Sequence, residues 1–164
     1  MTPAQIRKDL SYFGRFGKQG RGYSVAYLLQ ELRHILGLDK EWEVALVGVG
    51  RLGRAILAYP EFLPAGFKVV DAFDADPANV GETVDVIKVH SVSVLPERVS
   101  AKQIRVAIVA VPSLQAQDVV DLLIQSGVKA ILNYAPQSLE VPPTVRITNV
   151  DPVLSLQAMT FYLR

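Results

Sequence analysis

The stretch Val44-Ala45-Leu46-Val47-Gly48-Val49-Gly50-Arg51-Leu52-Gly53 decides the fold. An apolar run enters a G-x-G-x-x-G turn, and Arg54-Ala55-Ile56-Leu57-Ala58-Tyr59 leaves it in a helical pattern. Each glycine meets its own demand: Gly48 the tight turn, Gly50 the approach of backbone to a pyrophosphate, Gly53 the close packing of helix on strand. The N–H groups and dipole of the following helix then face the phosphates. Three glycines also suit a purely structural strand–helix turn, so context has to decide. A second apolar run, Phe67-Lys68-Val69-Val70-Asp71-Ala72-Phe73, ends in Asp74, about twenty residues past the last glycine, where a ribose-binding acid belongs. Asp74 would accept from a ribose 2′-hydroxyl and repel a 2′-phosphate, and Ala75 rather than an arginine follows it. NAD(H) is therefore expected over NADP(H).

Outward from this unit the chain alternates strand and helix. Trp42 to Val47 reads as the first strand, and Asp76-Pro77 as a turn capping a short helical piece. Val84-Asp85-Val86-Ile87-Lys88-Val89 reads as an alternating strand or a pair of short strands, with His90 in the loop behind it. Ile104 to Val111 is nearly free of polar residues, as a buried parallel strand requires. After Pro112-Ser113 a helix runs from Leu114 to Ser126 and stops at Gly127. Val128 to Leu132 and Val145 to Val150 supply further strands, separated by the turn Asn133-Tyr134-Ala135-Pro136. The fold class is α/β, a Rossmann-type, doubly wound, mostly parallel sheet over residues 41–150. Its ligand belongs across the carboxyl ends of the strands, where the glycine turn (with Val49, Arg51 and Leu52), Asp74, Val111-Pro112 and Asn133 converge.

Upstream, residues 1–40 carry seven Lys/Arg against three Asp/Glu, whereas residues 41–164 carry ten against thirteen. A basic head on an acidic nucleotide-type domain suggests two binding tasks. Thr2-Pro3 starts a helix over Ala4 to Phe13 with Ile6, Leu10 and Phe13 on one face. Gly14-Arg15-Phe16-Gly17-Lys18-Gln19-Gly20-Arg21-Gly22-Tyr23 follows as a basic, glycine-rich hairpin. Helix then basic hairpin is the second half of a winged helix-turn-helix, whose helix enters the major groove while the wing follows the backbone. A solvated helix and a flexible loop would give the same pattern. Ser24 caps a connecting helix from Val25 to Leu36 with an apolar stripe, Gly37 ends it, and residues 37–41 form a linker. His34 on that helix reads as structural.

The tail, residues 151–164, is apolar on most sides of its helix. Such a helix needs a second surface, and another copy of the chain is the expected cover, although docking as a last Rossmann helix would also satisfy it. The absence of cysteine from the 164 residues excludes disulfides, zinc–cysteine sites and thiol catalysis, and no metal is expected. No apolar run reaches bilayer length and the start is polar rather than signal-like, so a soluble cytoplasmic protein is expected. Neither histidine, and no lysine, sits beside the inferred cleft to act as a general acid or base, which favours NAD(H) as a signal over NAD(H) as a co-substrate.

Several longer strings resemble the Rex-type redox-sensing transcriptional repressors. They are Gln5-Ile6-Arg7-Lys8-Asp9-Leu10-Ser11-Tyr12-Phe13-Gly14, the wing through Gly22-Tyr23, Glu31-Leu32-Arg33-His34-Ile35-Leu36-Gly37, Val47 to Gly53, Tyr59-Pro60, Phe73-Asp74-Ala75-Asp76-Pro77, Ile131 to Pro136 and Asn149-Val150-Asp151. The resemblance implies a homodimeric repressor that exchanges C-terminal helices and senses the NADH/NAD⁺ ratio. It would hold palindromic operators of respiratory and fermentative genes when NADH is low and release them when NADH binds. It implies that Arg7 and Lys8 read base edges with Gln5, Ser11 and Tyr12 nearby, and that Lys18 and Arg21 hold the wing on DNA. Gly48, Gly50 and Gly53 would hold the pyrophosphate, Asp74 the adenosine ribose, and Tyr59 would meet Asp151 of the partner subunit beside the nicotinamide. The family's first two winged-helix helices have no counterpart in these residues, so a partial DNA-binding region over 1–37 is expected. Other readings are an NAD-dependent oxidoreductase, a CoA- or nucleotide-binding module, and a truncated NADH sensor that no longer binds DNA.

Overall fold

The structure, a computed structural model, describes residues 2, 5, 8, 9, 12, 17, 18 and 22–163. The chain divides into two compact units, Met1–Glu41 and Trp42–Arg164, so the boundary falls at the end of the expected linker.

In the first unit the expected helix over 4–13 lies largely outside the described residues. Within it Gln5, Lys8 and Asp9 are helical, and Thr2 Oγ1 accepts the Gln5 N–H at 3.3 Å, as a capping threonine does. The basic hairpin is present: β1 (Gly17–Lys18) and β2 (Gly22–Tyr23) pair antiparallel, with Gly17 opposite Tyr23. Ser24 caps α1 (Val25–Ile35) by accepting the Tyr27 N–H. The expected apolar stripe of α1 is only partly covered, since Leu28 and Leu32 are half-buried while Val25, Leu29, Ile35 and Leu36 are exposed. The Nδ1 of His34 lies 2.6 Å from Asp39 Oδ2, and that hydrogen bond is the chief cause holding the Asp39 carboxyl below its usual range.

The second unit is built on a seven-stranded sheet. In chain order its elements are β3 (Trp42–Val47), α2 (Arg51–Leu57), β4 (Phe67–Asp74), β5 (Thr83–Val84), β6 (Ile87–Ser91) and α3 (Leu95–Lys102). Then follow β7 (Val106–Val109), α4 (Ser113–Gln125), β8 (Ala130–Asn133), β9 (Arg146–Asn149) and α5 (Pro152–Thr160). The strand order is β5-β6-β4-β3-β7-β8-β9, and every pairing is parallel except that of the short β5 with β6. Consecutive strands step outward from β3 in one direction and then, after β6, in the other. That reversal between β3 and β7 is the crevice in which doubly wound sheets take ligands.

Alternation along β3 explains the two layers. Ala45 and Val47 point to the face covered by α3 and α4, where they meet Phe73, Leu95, Val99, Val120 and Leu123. Val44 and Leu46 point to the opposite face with Ala72, Val89 and Ile108, where α2 supplies Ile56. Full burial of such side chains stabilises by about 1.5–3 kcal/mol each.

The structure differs from the sequence-based expectation in three places. Asp76-Pro77 opens a turn with no helix behind it, because Asp76 Oδ1 accepts the Ala78 N–H and closes a local ring that competes with helix formation. His90 sits inside β6 opposite Phe73 rather than in a loop. Helix α3 was not expected; Pro96 near its start reads as a breaker but is tolerated in a first turn. The connection from β8 to β9, residues 134–145, contains no helix, so on the α2 side the sheet around Ile108 and Leu132 keeps an apolar hollow of about 280 Å³.

Candidate dinucleotide-binding cleft

The ends of β3, β4, β7 and β8 are tied into one rim by backbone bonds: Gly48 N–H to Phe73 O, Ala110 N–H to Val47 O and Tyr134 N–H to Val109 O, each 2.8 Å. On this rim the three glycines stand in different surroundings. Gly48 has φ +94°, and a Cβ there would lie 2.4 Å from Ala110 O. A Cβ on Gly53 would lie 1.9 Å from Gly48 O, so helix and turn touch through the missing side chain. A Cβ on Gly50 would meet nothing within 4 Å. The protein's own packing therefore requires Gly48 and Gly53, whereas Gly50 opens onto free space.

That space is a cavity of about 880 Å³, within the range of small-molecule and cofactor sites. Of the residues expected to bind cofactor, Gly48, Gly50, Arg51, Leu52, Asp74, Val111 and Pro112 line it. Val49 is buried and contributes through its backbone, donating its N–H to Asp74 Oδ2 at 2.6 Å. Asp74 Oδ2 also accepts from Asn79 Nδ2 at 3.2 Å, and Oδ1 accepts the Asp76 N–H at 2.8 Å. A carboxylate offers about four acceptor positions, so these three bonds fix Asp74 and leave capacity for a ribose hydroxyl. The residues fit an adenosine ribose and a pyrophosphate.

Gly53, expected at the pyrophosphate, is buried against Gly48 and does not line the cavity, and three further expected residues stand elsewhere. Asn133 is fully buried and does not line the cavity: its Nδ2 donates to Ala135 O, Gln137 O and Asn149 Oδ1, and its Oδ1 accepts the Ala135 N–H. It shapes the loop carrying Tyr134 and Pro136, which do line the cleft. Tyr59 is half-exposed and packs edge-on against Phe62 with ring centroids 5.2 Å apart. Asp151 caps α5, its Oδ1 accepting Val153 and Leu154 N–H groups at 2.9 Å, and it borders a separate hollow of about 300 Å³. Within one chain nothing brings Tyr59 and Asp151 together in this cleft.

Sequence reading passed over Asn79, Gln115, Asp118 and Tyr134, all on the cavity wall. Asn79 follows Asp74 by five positions in a turn, and Gln115 and Asp118 occupy the opening turns of α4 after Pro112; a strand-end motif names neither. On the face of β4 covered by α3, Asp71 is buried and held by Arg98 Nη2 at 2.7 Å and Lys102 Nζ at 2.9 Å. Burial pushes its carboxyl up, but the bonds and charges of Arg98 and Lys102 outweigh this and hold it below the usual range. Among the described residues no cluster suited to a metal ion is present, and no helix is long and apolar enough to cross a membrane.

For the head, Gln5, Lys8 and Tyr12 are exposed and Lys18 lies in the hairpin strand β1. Arg7, Ser11 and Arg21 lie outside the described residues.

Residues 39–137 match the family model described as the CoA binding domain. The chain is 52% identical over 163 residues to the redox-sensing transcriptional repressor Rex of Chloroflexus aggregans, covering 99% of this chain and 77% of that one. The chain belongs to the Rex family. Among solved structures, that of RSP in complex with β-NAD⁺ and operator DNA is similar with a TM-score of 0.90 and 37% identity, covering 99% of this chain and 75% of that one. RSP in complex with β-NADH is similar with a TM-score of 0.82, 34% identity and coverage of 99% and 76%. The Rex family's match spans both units, the head included.

Proposed function

We propose that this chain is a redox-sensing repressor that occupies operator DNA when NADH is scarce and leaves it when NADH binds in the cleft between Gly50, Asp74 and Pro112. The observation that carries the reading is the open space over Gly50 beside a fixed Asp74, in a chain of Rex-family sequence throughout. The family model's name raises CoA as another ligand; Asp74 favours an adenosine ribose whose hydroxyls are both free, whereas the adenosine ribose of CoA carries a 3′-phosphate that this carboxylate would repel.

The working unit is a homodimer. Val153, Leu154, Leu156, Met159, Phe161, Tyr162 and Leu163 are all exposed, which supports a partner copy as their cover. NADH bound at the dimer would close the two nucleotide domains and move the two heads out of register with half-sites spaced by helical turns. NAD⁺ carries a ring charge that apolar walls such as Val92 and Val111 would penalise. Switching from one extreme to the other needs about 5.5 kcal/mol of differential binding. Likeness to a redox-sensing transcriptional repressor over 99% of the chain supports a regulatory role over an enzymatic one.

The test is fluorescence anisotropy of a labelled palindromic operator with the protein, titrated with NADH and then with NAD⁺. Binding that NADH reverses and NAD⁺ spares is expected. Failure to bind DNA at low salt, where phosphate contacts are strongest, with NADH binding intact would leave a sensor without an operator. Steady consumption of NADH with a small carbonyl substrate would replace the reading with an oxidoreductase.

A further inference from the structure

Discrimination against a 2′-phosphate involves more than the negative charge of Asp74. Asn79 joins Asp74 to a cation: its Nδ2 donates to Asp74 Oδ2 at 3.2 Å, and its Oδ1 accepts from Arg54 Nη2 at 3.0 Å. The guanidinium and the ribose acid thus stand at the two ends of a single side-chain amide, and Asn79 itself is on the cavity wall. The same Nη2 donates to Glu82 Oε2. Asp74 and Asp76 line the cleft and Arg54 does not, so a phosphate arriving on the ribose held by Asp74 would meet two carboxylates while the Arg54 guanidinium is engaged by Asn79 and Glu82.

Resting on the reading of the cleft as a dinucleotide site, we propose that Glu82 is a specificity residue for NAD(H): with Asn79 it withholds Arg54, a latent ligand for the 2′-phosphate of NADP(H). An arginine is the side chain best shaped to grip a phosphate, through paired N–H donors. Arg54 is one amide away from the place such a phosphate would occupy, and its charge is neutralised there by Glu82. Both side chains are about half exposed, 42% for Arg54 and 47% for Glu82. An exposed pair of this kind contributes little to stability, so Glu82 can be neutralised without unfolding the domain, and its effect should be read in ligand choice.

The experiment is a direct fluorescence titration of the full chain with NADH and, separately, with NADPH. In Glu82→Gln the NADPH-to-NADH affinity ratio should rise about threefold, the scale of one exposed ion pair, with NADH affinity within about twofold of the parent. In an Asp74→Asn background the same change should raise the ratio further, because the repelling carboxylate is gone. Adding Arg54→Leu should abolish the gain, which separates capture by Arg54 from the mere loss of a negative charge. An unchanged ratio in both backgrounds, or a gain that survives Arg54→Leu, would overturn the proposal while NADH binding by the parent stands. Failure of the parent to bind NADH would overturn the dinucleotide reading and this inference with it.

Discussion

A methyl group on Gly53 would sit 1.9 Å from Gly48 O, a backbone atom that cannot give way without displacing the turn. Gly53→Ala is therefore expected to destabilise by about 1–3 kcal/mol, the range for overpacking. Gly50→Ala meets no neighbour within 4 Å. It should melt at the parent temperature and yet lose NADH affinity, because the methyl occupies the space left for the pyrophosphate; thermal melts paired with NADH fluorescence separate the two outcomes. Sequence spacing picked out all three glycines, but which one serves the ligand is a matter of the carbonyls of Gly48 and Ala110. The Asp71 cluster was illegible for a similar reason: Asp71, His90, Arg98 and Lys102 are far apart along the chain and meet only once β4, β6 and α3 are placed. Its titration has a definite sign. Burial, then the Arg98 charge, lowers the His90 pKa against the opposing pull of Asp71. Neutral His90 thus contributes stability above its unfolded pKa of about 6.5 that is lost as pH falls through the lower folded value. Asp71, also lowered, contributes above about 4 and loses it as pH falls through its own folded value. Melting temperature should fall on acidification in two steps, and His90→Gln should remove the first. Asp71→Asn, with its cationic partners about one-third exposed, should cost about 1–2 kcal/mol at pH 7 after allowance for solvent screening.

Helix α5 has a cap and no core. Asp151 Oδ1 holds the N–H groups of Val153 and Leu154, and Pro152 sets the first turn. The element's existence and its all-round apolar surface were legible from the run of apolar residues; what covers that surface was not, because nothing among the described residues of this chain does. Strands were legible where both faces are buried, as in Trp42 to Val47, whose expected and observed limits coincide. Helix α3 was not legible, since its eight residues mix Pro96, Glu97, Arg98 and Lys102 with only Leu95 and Val99 buried. At Asp151 capping and charge can be separated. Asp151→Asn keeps an acceptor for both N–H groups and removes the charge, whereas Asp151→Ala removes both at a cost of about 1 kcal/mol. If the charge meets Tyr59 across the dimer, the asparagine variant should keep its dimer by sedimentation and its NADH affinity while NADH-driven release from operator DNA weakens. Equal release by Asp151→Asn and the parent would confine Asp151 to capping.

Across the whole molecule, apolar surface on α5 and the hollow on the α2 side of the sheet are both left bare by a single copy. If two copies cover such surfaces, as proposed, the dimer carries two basic heads, and assembly and operator binding can be tested together. Leu156→Glu places a charge among exposed apolar side chains of α5 without touching a buried residue, since Leu156 is itself 63% exposed. The folded unit should therefore melt as before while the dimer dissociates. Salt dependence then reports the consequence. The slope of log K against log salt counts neutralised phosphates at about 0.9 each on duplex DNA. A monomer offers one head where the dimer offers two, so Leu156→Glu should halve the slope as well as weaken binding, and remaining DNA contacts should no longer respond to NADH. A variant that sediments as a monomer but keeps the parental slope and its NADH response would place the switch inside one chain, and would remove the dimer from the mechanism.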